Sequence, residues 1–69
     1  MRPNHVKDQR EQKGLSKLEL AFYSGVSLPT IERLERGDGH DPQLETAGKL
    51  AKALGVTIAD LFPFEEVAS

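Results

Sequence analysis

The sequence predicts an all-α fold, a compact bundle of five helices with a helix-turn-helix at its centre. One helix-start pattern occurs three times, and apolar residues recur at helical spacing in the second half of the chain. No stretch alternates apolar and polar residues as a strand would. With 69 residues and no cysteine, the chain is long enough for one small domain without disulfides. We expect the domain to span residues 1–64 and residues 65–69 to form a flexible tail.

The first helix is predicted over residues 4–13. Asn4 is its candidate cap, Val6 is the one clearly apolar residue inside it, and Gly14 is its stop.

The second and third helices are predicted over residues 16–24 and 28–36, joined by a tight turn at 25–27. Each start has an apolar residue, a Ser or Thr cap, a side chain three positions on that can reach back, and a second apolar residue. The three copies of this pattern are Leu15-Ser16-x-x-Glu19-Leu20, Val26-Ser27-x-x-Thr30-Ile31 and Val56-Thr57-x-x-Asp60-Leu61. A helix-turn-helix of this size is typically used to place its second helix in the major groove of DNA.

Residues 37–42 read as a loop, and residues 43–54 as the fourth helix. Its apolar residues recur at the spacing of one helix face: Leu44, Ala47, Leu50, Ala51 and Leu54. Gly48 inside this helix suggests a close approach by another helix. A short fifth helix opens at Thr57, runs to 61 or 62, and is stopped by Pro63.

The net charge is −2, whereas nucleic-acid binders usually show a basic excess. Residues 1–40 hold seven Lys/Arg against six Asp/Glu, and residues 41–69 hold two against five. The half with the helix pair therefore allows a local cationic face but not a broad phosphate-attracting field. There is no apolar run of the roughly 20 residues that a membrane span needs and no signal peptide, so we expect a soluble, cytoplasmic protein without membrane contact.

Residues 4–62 resemble the phage repressor/Cro-like (XRE-type) DNA-binding domain, the lambda-repressor-like five-helix fold. The segments that carry the resemblance are 10–16 (Arg-Glu-Gln-Lys-Gly-Leu-Ser), 25–27 (Gly-Val-Ser), 31–37 (Ile-Glu-Arg-Leu-Glu-Arg-Gly) and 50–56 (Leu-Ala-Lys-Ala-Leu-Gly-Val). The resemblance implies a structural ion pair between Arg10 and Glu35. It also implies a homodimer, with a dimer interface at Val56, Ile58, Leu61 and Phe62 and an extension to Phe64.

Helix geometry places one edge of the third helix outward. With Ile31, Leu34 and Glu35 turned inward, the outward positions are Leu28, Pro29, Glu32, Arg33 and Arg36. The resemblance implies base contacts at Leu28, Pro29 and Arg33, to which Thr30 adds a hydroxyl and a methyl group. It implies phosphate contacts at Lys17 and Arg36, and we add Ser27 to them. Arg33 is the best base reader, because a guanidinium can pair with guanine O6 and N7, whereas Leu28 and Pro29 can only pack on thymine methyl groups.

The expected function is a sequence-specific regulator of transcription that binds double-stranded DNA as a homodimer and acts as a repressor. Half-sites would lie roughly 10–10.5 bp apart. The alternative is a protein-interaction adaptor or antitoxin-like module with little or no DNA reading. It is favoured by the net acidity and by Leu18 and Phe22, an apolar pair expected to be exposed on the second helix as a protein-contact surface.

Nothing in the sequence indicates an enzyme, a metal or a cofactor. Ser16, Ser24 and Ser27 are caps or turn residues with no nucleophile elbow around them. A metal site could be assembled from Asp38, His40 and Asp41. A Gly-rich acidic turn is the better interpretation of this segment.

Overall fold

Five α-helices follow one another in a computed structural model that describes residues 4–37 and 42–63. They are α1 (Val6–Gln12), α2 (Lys17–Ser24), α3 (Leu28–Arg36), α4 (Leu44–Leu54) and α5 (Ile58–Leu61). The predicted all-α class and helix order are confirmed. Phe64, the predicted tail at 65–69 and the acidic turn with Asp38, His40 and Asp41 lie outside the described residues.

The helix starts follow the repeated pattern. At Ser16 the hydroxyl accepts from the Glu19 N–H at 3.0 Å, and the Ser16 N–H donates to the Glu19 carboxylate at 2.8 Å. At Thr57 the hydroxyl accepts from the Asp60 N–H at 3.0 Å, and the Thr57 N–H donates to the Asp60 carboxylate at 2.9 Å. The shorter Asp side chain therefore also completes this reciprocal capping box.

Helix α1 begins at Val6, two residues later than predicted, and its N-cap is His5 rather than the predicted Asn4. The Asn4 side chain instead forms hydrogen bonds to two backbone groups. Its oxygen accepts from the Val6 N–H at 3.0 Å and its amide nitrogen donates to the Leu34 carbonyl at 2.8 Å. The His5 N–H donates to the Leu61 carbonyl at 2.9 Å. The start of α1 is therefore tied to both α3 and α5.

Helix α4 lies at the centre of the bundle and packs against α2, α5 and α1. It buries Ala47, Leu50, Ala51 and Leu54. The other helices and connections complete the core with Val6, Leu20, Val26, Ile31, Leu34, Leu61 and Phe62. Removal of this apolar surface from water is the main force that holds such short helices in place.

Two predictions about α4 are wrong. Leu44, at the first helical position, is 76% exposed and does not pack with the other apolar residues of its face. A Cβ atom at Gly48 would lie 4.0 Å from Ile58 Cδ1, an ordinary van der Waals distance, so no close helix approach requires the glycine.

Two of the four residues predicted for the dimer interface belong to the hydrophobic core of their own chain. Leu61 and Phe62 are buried within their own chain, whereas Val56 and Ile58 are half-buried at its margin. Of these four residues, Val56 and Ile58 keep surface for a second protomer, because a short domain needs its last apolar side chains to close its own core.

None of the helices in residues 4–37 and 42–63 has the length and apolar character that a bilayer span requires.

Candidate nucleic-acid interface

The outer edge of α3 is clear of the protein interior. Ile31 and Leu34 point into the core, while Pro29, Arg33 and Arg36 are exposed. Three neighbouring side chains on this helix are half-buried: Leu28, Thr30 and Glu32. Of the residues expected to contact bases, Pro29 and Arg33 are therefore exposed, and Leu28 and Thr30 are half-buried.

The turn before α3 sets the angle between the two helices. Gly25 has φ +77°, a conformation that costs other residues strain, and its N–H donates to the Ala21 carbonyl at 2.9 Å. The Ser24 hydroxyl accepts from the N–H of buried Val26 at 3.1 Å. These bonds occupy the N–H groups of Gly25 and Val26 and fix the conformation of the turn between α2 and α3.

An ion pair fixes the back of α3 to α1. Arg10 Nε donates to Glu35 Oε2 at 2.7 Å and Arg10 Nη2 donates to Glu35 Oε1 at 3.1 Å, with the side chains only 10% and 7% exposed. Arg10 Nη1 also donates to the Leu15 carbonyl at 2.8 Å. The hydrogen bond to Glu35 raises the pKa of Arg10, although burial opposes it. The structure thus brings together the two residues expected to pair, in a bidentate geometry.

Lys17 faces α3 from the first turn of α2. Its Nζ lies 3.9 Å from Glu32 Oε2, and the two side chains are 47% and 42% exposed. The ammonium group therefore lies beside the outer edge of α3, where the Glu32 carboxylate would compete with a phosphate for it.

An open cleft of about 450 Å³ gathers charged side chains from α1, α2 and α3. It is lined by Lys7, Lys17, Glu32, Glu35 and Arg36. Two of the expected phosphate contacts, Lys17 and Arg36, are brought together here, whereas Ser27 caps the start of α3 and does not line the cleft. Lys7 also lines the cleft and was not among the contacts expected from the sequence, although its position three residues before Arg10 places both on one face of α1.

The hydroxyl groups at the start of α3 are engaged with each other. Ser27 Oγ donates to Thr30 Oγ1 at 2.8 Å and accepts from the Thr30 N–H at 3.4 Å. Thr30 keeps its own hydroxyl hydrogen and its methyl group for a ligand.

Helix α2 presents apolar side chains to solvent on its outer face. Leu18, Phe22 and Tyr23 are 67%, 81% and 61% exposed. The Phe22 and Tyr23 rings meet edge to face, with centroids 5.4 Å apart. This exposed trio extends the expected Leu18/Phe22 pair by one aromatic residue.

Residues 4–37 and 42–63 contain no group of three or more His, Cys, Asp or Glu side chains arranged to hold a metal ion.

Comparisons with known proteins agree on one family. A family model described as helix-turn-helix matches residues 6–61. An uncharacterized HTH-type transcriptional regulator of Methanocaldococcus jannaschii is 41% identical over 63 residues, which cover 91% of this chain and 94% of that protein. The HTH-type transcriptional repressor RghR of Bacillus subtilis is 45% identical over 47 residues, which cover 68% of this chain and 35% of RghR.

Among solved structures, the SinR protein/SinI protein complex contains a chain that matches with a TM-score of 0.78 and 27% identity. The match covers 90% of this chain and 58% of that chain.

Proposed function

Because the chain belongs to the XRE-type helix-turn-helix family of transcriptional regulators, we propose that it binds double-stranded DNA sequence-specifically through α3. The observation that carries the proposal is the exposed edge of α3, where Arg33 points away from a core closed by Ile31 and Leu34. In this motif the second helix enters the major groove and its N-terminal side chains meet base edges.

Base reading is assigned to Leu28, Pro29, Thr30 and Arg33. The guanidinium of Arg33 pairs with guanine O6 and N7, which contributes about 1–3 kcal/mol of discrimination against a wrong base. Leu28 and Pro29 pack on thymine methyl groups, and Thr30 offers both a hydroxyl and a methyl group.

Phosphate contacts are assigned to Lys17, Ser27 and Arg36. Each phosphate neutralised by a cation adds about −0.9 to the slope of log affinity against log salt concentration. Replacement of Lys17 by Ala should therefore weaken binding to all sequences by a similar factor.

The chain is proposed to act as a cytoplasmic homodimeric repressor without enzymatic activity. Repression is supported by the similarity to a protein named as a transcriptional repressor. Dimerisation is supported by Val56 and Ile58, which keep apolar surface for a second protomer. Two copies would place their α3 helices in major grooves roughly 10–10.5 bp apart.

Selection of bound duplexes from a random oligonucleotide pool tests the proposal directly. We expect an enriched, two-fold symmetric site whose affinity falls as salt is raised. Recovery of the unselected pool composition would rule out sequence-specific reading.

A second candidate is a protein-interaction adaptor or antitoxin-like module, favoured by the exposed Leu18, Phe22 and Tyr23 on α2. This candidate predicts no salt-linked binding when the chain is titrated into random duplex DNA at low and moderate salt. The two functions are therefore separated by a measurement that requires no knowledge of the target.

A further inference from the structure

The cleft between α1, α2 and α3 concentrates positive charge in a chain whose net charge is −2. Its cations are Lys7, Lys17 and Arg36, one from each helix. Of its carboxylates, Glu35 is already neutralised by Arg10 at 2.7 Å. Among the described lining residues, Glu32 is therefore the carboxylate that remains to oppose Lys7 and Lys17.

The two lysines differ in how they are held. Lys17 lies 3.9 Å from Glu32. Among the described residues no carboxylate forms an ion pair with Lys7, which is exposed on α1. Lys7 is consequently available to an anion without loss of an existing partner, whereas Lys17 must exchange one.

The pair between Lys17 and Glu32 is weak enough to exchange. Both side chains are almost half exposed, and a solvated pair of this kind contributes only about 0–1 kcal/mol. A phosphate diester carries the same charge as the carboxylate and can meet Lys7 as well as Lys17, so it can replace Glu32 as the partner of Lys17.

We propose that this cleft receives a backbone phosphate of the bound duplex, that Lys7 is a phosphate contact beside Lys17 and Arg36, and that Glu32 is the anion displaced from Lys17. The inference rests on the proposed DNA-binding function. It adds a phosphate contact from Lys7 on α1. It also adds a carboxylate, Glu32 on α3, that lowers the affinity for DNA of every sequence.

Lys7→Gln tests the new contact. Binding to a random-sequence duplex should weaken about five- to tenfold near 0.1 M salt, and the salt slope should become shallower by about 0.9. Lys49→Gln is the matched control, since Lys49 is a half-exposed lysine on α4 that does not line the cleft. Equal affinity and slope for Lys7→Gln and Lys49→Gln would overturn the assignment.

Glu32→Gln tests the displaced anion. All duplexes should bind about two- to fivefold more tightly, because the competing ion pair is gone. The gain should vanish in a Lys17→Gln background, as a double-mutant cycle reports only the coupling between the two side chains. Glu45→Gln, which breaks the 3.6 Å pair with Lys49, is the control and should bind as wild type does.

Three other outcomes would overturn the proposal. A loss of affinity by Glu32→Gln at the selected site alone would make the carboxylate a base reader. Binding of inorganic phosphate that Lys7→Gln abolishes, with duplex affinity unchanged, would assign the cleft to a small phosphorylated ligand. Absence of duplex binding by the wild-type chain would remove the proposed function as well, whereas the other results remove this inference alone.

Discussion

Arg33 and Arg36 lie three positions apart on the same exposed helix edge, yet their surroundings give them different expected roles. Arg36 lines the charged cleft with Lys7 and Lys17. Arg33 lies almost one turn before Arg36 on α3 and does not line the cleft. At the residue scale, position along the helix separates a base contact from a phosphate contact.

Arg33→Ala should flatten the sequence preference. The affinity for a selected site should fall by about 1–3 kcal/mol while the affinity for random DNA changes little, because the lost bonds are made to one base. Binding isotherms on both duplexes measure the difference. Arg36→Ala is the comparison, expected to weaken both duplexes alike, and equal losses for Arg33→Ala would contradict its role as a base reader.

Arg10 and Glu35 form the least exposed ion pair in the described chain. Removal of one partner leaves the other charge buried and unpaired. Arg10→Ala should therefore lower the free energy of unfolding by about 3–5 kcal/mol, which is comparable to the whole stability of so small a domain, so circular dichroism should show the variant largely unfolded without urea. The replacement of both residues by Met and Leu should cost much less, since no lone charge remains. A single variant as stable as the double variant would show that the pair contributes no such penalty.

At the scale of elements, α5 is the most dependent on its cap, because it has only four residues. Short helices are unstable by themselves, so the bonds at their ends and their packing hold them together. The reciprocal bonds of Thr57 and Asp60 position Leu61 in the core and the Leu61 carbonyl opposite the His5 N–H. The cap thereby influences the docking of α1.

Acidification should weaken α5. The hydrogen bonds from Thr57 hold the pKa of Asp60 below its ordinary value of 3.8. A lowered folded-state pKa means that this contribution to stability is complete above the ordinary value and is lost as pH falls through the lowered one. Thermal unfolding followed between about pH 5 and pH 2 should show a smaller acid-induced decline in Asp60→Asn than in wild type. An unchanged decline in Asp60→Asn would contradict the linkage.

The outer face of α2 is the element on which the second candidate function depends. Phe22→Ser should leave the free energy of unfolding within about 0.5 kcal/mol, since the ring is mostly solvated. If the face is a protein-contact surface, the variant should lose self-association or partner binding in sedimentation measurements. Leu44→Ser, at an equally exposed apolar position on α4, is the control. Unchanged association in Phe22→Ser would remove the idea.

At the scale of the whole molecule, the stability of the domain depends on a small hydrophobic core, while its proposed DNA-binding surface carries both cations and carboxylates. A chain of this size gains only a few kcal/mol from one hydrophobic core unless association adds to it. The same association would bring two recognition helices to one face of a duplex. Stability and DNA recognition are therefore expected to depend on the same protomer contact.

The unfolding midpoint should rise with protein concentration. Dimerisation stabilises the folded state by mass action, so a tenfold increase in concentration should raise the apparent stability by about 1.4 kcal/mol of dimer. Urea denaturation at two concentrations measures this shift. A midpoint that does not move would indicate a folded monomer, and Ile58→Lys should abolish any shift that Val56 and Ile58 produce.

The helices themselves could be read from the sequence because their signals are local. Ser16, Ser27 and Thr57 each act within one turn of their own position, and the caps form where the pattern predicts them. The pairing of Arg10 with Glu35 spans 25 positions and was expected only through a family resemblance. Leu44 was misassigned because periodicity cannot tell whether the first turn of a helix reaches the core.

Five short helices, their order and a charged outer edge on the third could be predicted from local patterns, because capping and apolar spacing act over a few residues. Packing between helices was needed to show that Leu61 and Phe62 close the core, and that Lys7 joins Lys17, Glu32 and Arg36 in one cleft. These outcomes depend on the packing of α1, α2 and α3 against each other, and distances between helices are set by the whole core rather than by any local pattern.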